Sequence, residues 1–162
     1  MAMKLDKINL RILKALQRDS RISNLRLAEA VGLSESACHG RVKRLFKEGY
    51  INSCSANINL SKVRYAHFVV NVGLKSQAAN LTEQFRRYIE QIPEITLCYK
   101  VSGEFDYILH YMCADAAQFN NLSEELLQRE DIGVERMSTQ LVIDQTKPFA
   151  GYPLETLFGE SD

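Results

Sequence analysis

The stretch Val31–Ile51, VGLSESACHGRVKRLFKEGYI, decides how the first third of this chain folds. Serine is a residue type that caps the start of a helix, and glycine is one that ends it, so Ser34 and Gly49 bracket a candidate helix. Between them, apolar residues recur at helical spacing and predict a buried stripe, which consists of Cys38, Val42, Leu45 and Phe46. The stretch therefore predicts a helix that runs to about Glu48.

Two shorter helical patterns precede this stretch. The first begins near Asp6, a capping residue type, and carries an apolar stripe made of Leu5, Ile8, Ile12 and Leu16. The second has Ser23 or Asn24 as its cap and a short apolar face made of Leu27, Ala28 and Val31. Gly32 then predicts a tight turn into the third helix. Three short helices, the last two joined in this way, indicate a helix-turn-helix.

The outward face of the third helix carries small polar residues near its start and basic residues further along. Hydroxyl and imidazole groups can bond to base edges, whereas lysine and arginine suit phosphates. His39 taken alone could also be an idle surface residue. The candidate DNA-contacting residues are Ser34, Ser36, His39, Arg41, Lys43, Arg44 and Lys47.

The charge distribution separates two parts of the chain. The whole sequence has a formal net charge of zero, with 20 basic and 20 acidic residues. Residues 1–50 hold eleven of the basic and five of the acidic residues and thus carry +6, which leaves −6 for residues 51–162. This asymmetry indicates that the first part is attracted to a polyanion, although a solvated charged surface would show the same bias.

The acidic part alternates strand and helix patterns. After a strand predicted at about Ile51–Leu60, which would serve as a hinge or wing, the order reads β-α-β-β-α-β. A tight hairpin at Gly103-Glu104 joins the two central strands. This order is typical of a ferredoxin-like fold, an antiparallel sheet with both helices on one face.

Residues 5–51 resemble the winged helix-turn-helix of the Lrp/AsnC (leucine-responsive, or feast/famine) regulators. The matching residues include Leu5-Asp6, Ile12-Leu13, Arg21-Ile22-Ser23, Leu27-Ala28, Val31-Gly32-Leu33-Ser34, Arg41-Val42 and Arg44-Leu45. Three residues depart from the family pattern. Asn9 stands where the family usually has aspartate, and Ser36-Ala37 replaces a start of the recognition helix that commonly contains proline. Base preference therefore cannot be transferred from relatives.

The acidic part resembles the RAM domain of the same family, in which the ligand site lies at a subunit interface beside the hairpin. The matching residues are Val101 to Tyr107, with Thr139, Leu141, Val142 and Lys147 on the last strand. The resemblance implies an amino acid as effector. Backbone amides around the glycine would meet its carboxylate, Asp106 its ammonium group, and Thr139 and Leu141 its remainder. The candidate effector-binding residues are Ser102, Gly103, Glu104, Asp106, Thr139 and Leu141. From the residues alone, the glycine could equally be an ordinary turn residue and Asp106 its cap.

These patterns predict an α+β protein in four segments. We expect a helix-turn-helix domain at 1–50, a wing or hinge strand and linker at 51–65, a ferredoxin-like (RAM) domain at 66–148 and a tail at 149–162. The tail's aromatic residues either cover an interface or form a partly ordered end. The expected function is that of a DNA-binding transcription regulator that responds to a small effector. The resemblance further implies a homodimer, often assembled into octamers.

Other functional classes find less support in the sequence. No catalytic motif, cofactor motif or metal-ligand spacing is present, so we expect no enzyme, no cofactor and no metal site. A metal- or thiol-responsive regulator remains an alternative, through His67, His110, Cys98 and Cys113, as does a metabolite-binding module without DNA function. No apolar run is long enough to span a membrane, and a soluble, cytoplasmic protein with reduced, mostly buried thiols is expected.

Overall fold

The computed structural model describes residues 5–76 and 78–159, which form two compact units. The first unit contains the described residues up to Ile58 together with those from Pro148 onward, and the second contains Asn59–Lys147. The chain therefore leaves the first unit once and returns to it at its end.

The first unit is built from three helices whose starts are fixed by capping side chains. The helices are α1 (Lys7–Arg18), α2 (Asn24–Val31) and α3 (Glu35–Lys47). The side chains of Asp6, Ser23 and Ser34 each accept a hydrogen bond from a backbone N–H in the first turn, which confirms the predicted caps. Only residues 32–34 separate α2 from α3, and Gly32 ends α2 in the left-handed region with φ 73°. The predicted helix-turn-helix is thus confirmed.

The core of this unit gathers one face of each helix. Ile12, Cys38 and Leu45 are completely buried, and Leu27 and Val31 are nearly so. One prediction for this core is wrong. Phe46 is 41% exposed because it directly follows Leu45, and neighbouring residues of a helix point about 100° apart.

The strand predicted at about Ile51–Leu60 is also wrong. Residues 51–59 have no regular secondary structure, and a single 3₁₀ turn, Leu60–Lys62, follows them. A strand is stable only when a neighbour satisfies its backbone groups, and residues 5–76 and 78–159 of the single chain provide no such neighbour for this segment. The wing of the expected winged helix-turn-helix is therefore not formed.

The second unit has the predicted β-α-β-β-α-β order. Its elements are β1 (Ala66–Leu74), α4 (Ala79–Ile89), β2 (Ile95–Lys100), β3 (Tyr107–Cys113), α5 (Ala116–Gln128) and β4 (Val134–Leu141). All pairings are antiparallel, and the strand order β2-β3-β1-β4 is that of a ferredoxin-like sheet. The predicted α+β class is confirmed.

Alternation along the strands separates two faces of this sheet. Phe68, Val70 and Val72 of β1 are buried with Phe85 of α4 and Phe119 of α5, so both helices cover one face. We call the other the open face. It carries Val69 of β1, Ile108 and Met112 of β3, and Leu97 and Tyr99 of β2, the last two about half exposed.

The end of the chain belongs to the first unit. The short helix α6 (Leu154–Phe158) inserts Leu154 into the helical core, and the side-chain amide of Gln17 bonds both the N–H and the C=O of Tyr152. Gly151 has φ 104° and leaves the space that Gln17 fills, since a Cβ there would lie 2.3 Å from its Nε2. Lys14 pairs with Glu155. Residues 148–159 therefore form part of the helical unit.

Two further expectations concern membranes and thiols. Within residues 5–76 and 78–159, no helix is both long and apolar enough to cross a membrane. All four cysteines are free, but only Cys38 and Cys113 are buried, whereas Cys54 and Cys98 are exposed. The expectation of mostly buried thiols therefore holds for two of the four.

The insertion of Leu154 predicts that the chain end stabilises the helical unit. Leu154→Ala removes a buried leucine, and we expect the first unit to lose about 2–3 kcal/mol of stability. Hydrogen exchange of the α1 amides should then accelerate by roughly 30-fold or more. Leu157→Ala is the matched control, because Leu157 is 61% exposed in the same helix and should change stability by less than about 0.5 kcal/mol. Equal exchange rates in both variants would contradict the packing described for α6.

Candidate functional site

The rotation of α3 about its axis is fixed by its buried residues. Cys38 and Leu45 are both 0% exposed, and the Ser34 hydroxyl accepts the Ala37 N–H at 3.4 Å at the start of the helix. Burial of one stripe forces the opposite stripe outward. The sequence-predicted contact surface of α3 is therefore available to a partner.

Five residues share this outward stripe, which we call the α3 face. All of them are exposed, and their spacing places them within about a third of the helix circumference. They are Ser36, His39, Gly40, Lys43 and Lys47. Small polar groups lie at the N-terminal end and ammonium groups at the C-terminal end, so the face offers hydrogen bonds at one end and positive charge at the other.

His39 is held by the preceding helix. Its Nδ1 lies 3.3 Å from Nδ2 of Asn24, the first residue of α2. An amide nitrogen only donates, so Nδ1 accepts and the neutral ring carries its proton on Nε2. The imidazole thus presents a donor, which suits an acceptor such as guanine N7 or O6.

Arg41 is engaged within the protein. Its Nη1 lies 2.5 Å from Oδ2 of Asp6 and donates to Oδ1 of the buried Asn9 at 3.0 Å. Desolvation opposes ionisation of the Asp6 carboxyl, but the hydrogen bond from Arg41, the backbone hydrogen bond from Asn9 and the charge of Arg41 together outweigh it and lower the pKa of Asp6. These contacts tie α3 to the start of α1 and favour a structural role. Asn9, the departure from the family pattern, is part of this network.

The remaining predicted DNA-contacting residues, Ser34 and Arg44, differ in the contacts that they make within the protein. The Ser34 hydroxyl already caps α3 and lies 3.4 Å from that of Ser36. Arg44 is exposed, and its closest acidic partner is Glu48 at 3.9 Å, beyond hydrogen-bond distance. Ser34 therefore has a defined structural task, whereas Arg44 flanks the α3 face as a solvated cation.

The hairpin predicted in the second unit joins β2 to β3, but its connection spans residues 101–106 and is longer than a two-residue turn. The Val101 N–H donates to the Asp106 carbonyl at 2.8 Å, and Gly103 has φ 125°. Ser102, Gly103 and Glu104 are all exposed at its tip. The connection therefore presents backbone and side-chain polar groups to solvent.

Asp106 anchors this connection to β1. Its Oδ2 accepts the Leu74 N–H at 2.8 Å, and its own N–H donates to the Val72 carbonyl at 2.9 Å. The first bond lies where the β1–β4 register shifts between Gly73 and Leu74. The carboxylate thus has a structural function in the chain, which is to hold the connection 101–106 to β1.

The two predicted residues on β4 lie away from the hairpin. Thr139 pairs with Val70 and Leu141 with Phe68, whereas the hairpin meets β1 at Val72. At about 3.3 Å per residue, Leu141 lies about 13 Å along the sheet from that level. A single chain brings together Ser102, Gly103, Glu104 and Asp106 but does not add Thr139 or Leu141 to them.

Sequence reasoning missed Arg136 of β4. Its guanidinium donates to the Glu104 carbonyl, lies 3.7 Å from the Glu104 carboxylate and has its Cζ 5.1 Å from the centroid of the Phe105 ring. Ring and guanidinium at this separation form a cation–π pair. The register that pairs Arg136 with Gly73 is the signal that would have found it, but that register depends on the bulge in β1.

The metal- or thiol-responsive alternative finds only two of its four residues together. His67 Nε2 lies 3.0 Å from His110 Nδ1 on the open face, and burial, together with the charge of His110, lowers the pKa of His67. Cys98 pairs with Leu109 and, like the buried Cys113, belongs to the helix-covered side. Among the described residues, no three His, Cys, Asp or Glu side chains converge on a point that could hold a metal ion.

Comparison with known proteins identifies both units. Residues 5–45 match the model of the AsnC-type helix-turn-helix domain, and residues 67–151 match that of the Lrp/AsnC ligand binding domain. The chain is similar to the transcriptional regulatory protein DoeX of Halomonas elongata, with 36% identity over 96% of this chain and 99% of that protein. It is 37% identical to the leucine-responsive regulatory protein of Escherichia coli, over 88% of this chain and 87% of that protein.

Solved structures agree with this comparison. A transcriptional regulator from Neisseria meningitidis, determined as a complex with L-Met, superposes with a TM-score of 0.85 at 28% identity, over 94% of this chain and 99% of that one. An AsnC family regulator from Agrobacterium tumefaciens gives a TM-score of 0.86 at 25% identity, over the same shares. Because family models cover both units and relatives align along nearly the whole chain, this protein belongs to the Lrp/AsnC family of DNA-binding transcription regulators, which are not enzymes.

Proposed function

We propose that α3 is the recognition helix of this regulator. Ser36 and His39 contact base edges, and Lys43, Arg44 and Lys47 contact phosphates. The observation that carries the proposal is the α3 face itself, which is exposed and basic while the opposite stripe of the same helix is buried. In helix-turn-helix proteins the second helix of the motif enters the major groove, and its N-terminal residues reach the bases.

Gly40 supports this assignment. A Cβ built on Gly40 would meet no atom within 4 Å, so packing within the chain does not require a glycine there. Glycine inside a helix costs about 1 kcal/mol relative to alanine. On a recognition helix, the missing side chain lets the backbone approach the edge of the groove.

We infer that the effector is an amino acid and that it binds at the connection 101–106. Two relatives support the ligand class through their names, one as leucine-responsive and one as a complex with L-Met. The connection supplies exposed amides around Gly103, which suit a carboxylate. Since Asp106 already accepts the Leu74 N–H, it offers an ammonium group only part of its hydrogen-bonding capacity.

We also propose that the protein is a homodimer that forms through the open face of the sheet. That face carries Leu97 and Tyr99, each about half exposed, beside Val69, Ile108 and Met112. Exposed apolar side chains grouped on one sheet face, here beside the polar pair His67 and His110, are typical of an interface. Two copies related by two-fold symmetry would also present two α3 faces to a palindromic site, which doubles the contacts to DNA. Octameric assembly stays a prediction.

The DNA proposal predicts two separable effects. Lys43→Ala and Lys47→Ala should each weaken binding to every sequence alike and reduce the salt slope by about 1, because each removes one phosphate contact. Ser36→Ala and His39→Ala should change the preference among sequences. Fluorescence anisotropy against a promoter fragment and a scrambled duplex at several salt concentrations measures both. Lys100→Ala, an exposed lysine of the second unit, is the control. Unchanged salt slopes in both lysine variants would contradict the proposal that α3 contacts DNA.

The effector proposal predicts a ligand-dependent rise in melting temperature in a screen of the twenty amino acids. A ligand that binds only the folded state contributes about 2.7 kcal/mol of stability at 100 times its Kd. Gly103→Val should abolish this rise, because a β-branched residue resists a φ of 125°. Gly159→Val, also at a positive φ but at the chain end, should leave it intact. If no amino acid raises the melting temperature of the wild-type protein, the proposed ligand class is wrong.

The dimer proposal predicts that a charge on the open face dissociates the protein. Leu97→Glu places a carboxylate in an apolar interface, whose desolvation cost should shift the light-scattering mass from a dimer or larger assembly to a monomer. Leu127→Glu is matched in size and exposure but lies on α5, so it should leave the mass unchanged. A monomeric wild-type protein, or an unshifted mass for Leu97→Glu, would contradict the proposal.

A further inference from the structure

Gly73 occupies a position in β1 where backbone conformation does not call for glycine. It is not among the glycines with positive φ, and glycine in a strand weakens the strand. Its partner across the sheet is Arg136. A Cβ on Gly73 would come within 2.7 Å of Arg136 Nε and 2.8 Å of its Cγ, so the glycine makes room for this one side chain. Gly73 of β1 thus leaves a space that holds the side chain of Arg136 from β4, and we call this space the seat.

The seat lies at the base of the connection 101–106. Phe105 provides a ring face to the guanidinium, and the Glu104 carbonyl accepts a hydrogen bond from its Nη2. Half of the Arg136 side chain still faces solvent, at 51% exposure. An arginine held in one orientation by a ring and a carbonyl, with exposed N–H groups, is prepared to accept a carboxylate through two parallel hydrogen bonds.

The nearest acid is a weak occupant of this seat. The Glu104 carboxylate is 3.7 Å from Nη1, which is beyond hydrogen-bond distance, and its side chain is 74% exposed. Exposed ion pairs of this kind contribute little, so another carboxylate can replace Glu104 at low cost. The amino-acid effector of the proposed function carries such a group.

We propose that Arg136 binds the α-carboxylate of the effector, and that Glu104 occupies the guanidinium until the ligand displaces it. The inference rests on the proposed amino-acid ligand and goes beyond it by assigning the residue that recognises the carboxylate. Displacement of Glu104 also changes the contacts of the connection 101–106, so the same event that binds the ligand alters the hairpin.

The test is isothermal titration calorimetry on the full-length protein with L-methionine and L-leucine, each compared with its amide, which lacks the carboxylate charge. Wild type should bind at least one of the two acids and bind its amide at least tenfold more weakly. Arg136→Gln should lower affinity for that acid tenfold or more and abolish the preference for acid over amide. Arg136→Lys keeps the positive charge but loses the planar pair of N–H donors. Its affinity for the acid should lie between those of wild type and Arg136→Gln.

Two more variants separate recognition from folding. Gly73→Ala retains the Arg136 side chain but places a methyl group in the space that it occupies. This variant should reduce affinity for the acid as Arg136→Gln does. Glu104→Gln changes an exposed side chain and should raise affinity for the acid by up to about fivefold, because the internal competitor is gone. Arg129→Gln is the matched control. Arg129 likewise stacks on a ring, that of Tyr88 at 5.0 Å, and pairs with an acid, Asp131, but lies away from the hairpin. It should change affinity by less than twofold.

The outcomes distinguish this inference from the proposal beneath it. If wild type binds an acid, and Arg136→Gln binds it with the same affinity and the same preference over the amide, Arg136 does not recognise the carboxylate. The proposal that the ligand is an amino acid is then unaffected. Weaker binding by Glu104→Gln overturns the displacement. If wild type binds neither acid and no other amino acid, the proposed ligand class is wrong, and the assignment of Arg136 is wrong as well.

Discussion

Burial of Cys38 and Leu45 is the constraint on which the DNA-binding unit depends. Both side chains are completely enclosed between α3 and the two preceding helices, and a helix that buries one stripe must expose the opposite one. A rotation of α3 about its axis by one residue position is about 100° and would carry the basic stripe toward the core. The Ser34 cap and the bond between Asn24 and His39 reinforce a rotation that the core has already set.

The ligand-binding unit applies an equivalent constraint through alternation in β1. This strand pairs with β3 on one side and β4 on the other, so its register decides which residues of all three strands meet the helices. The bulge after Gly73 interrupts that alternation beside the hairpin, where Asp106 bonds to Leu74. This irregular end of the sheet is therefore where polar groups and a guanidinium reach the surface.

Local signals in the sequence predicted much of this arrangement. Caps at Asp6, Ser23 and Ser34 follow from hydrogen bonds within one helical turn, so spacing alone reveals them. The order of strands and helices follows from periodicity for the same reason. The failures depend on distant partners. The strand expected at 51–60 has no neighbour among the residues that the structure describes, and Phe46 lies one position further around its helix than the buried Leu45.

The candidate sites show the same division. The α3 face could be predicted because helical spacing fixes which residues share a side. Long side chains such as Arg41 and Arg136 could not be placed, since their heads lie several bonds from the backbone and choose partners that only the folded chain supplies. Asp106 was recognised as part of the hairpin, but its bond to Leu74 requires the register of a strand more than thirty residues away.

The return of residues 148–159 to the helical unit has a consequence for synthesis. A ribosome releases α1, α2 and α3 before the ligand-binding unit, whereas Leu154 and Tyr152, the partner of Gln17, are released after it. The ligand-binding unit, Asn59–Lys147, is continuous in sequence and can close its core while those residues are still unmade. The DNA-binding unit is therefore completed only after Leu154 has been synthesised, and a product truncated before residue 148 would carry a finished ligand-binding unit beside an unfinished DNA-binding one.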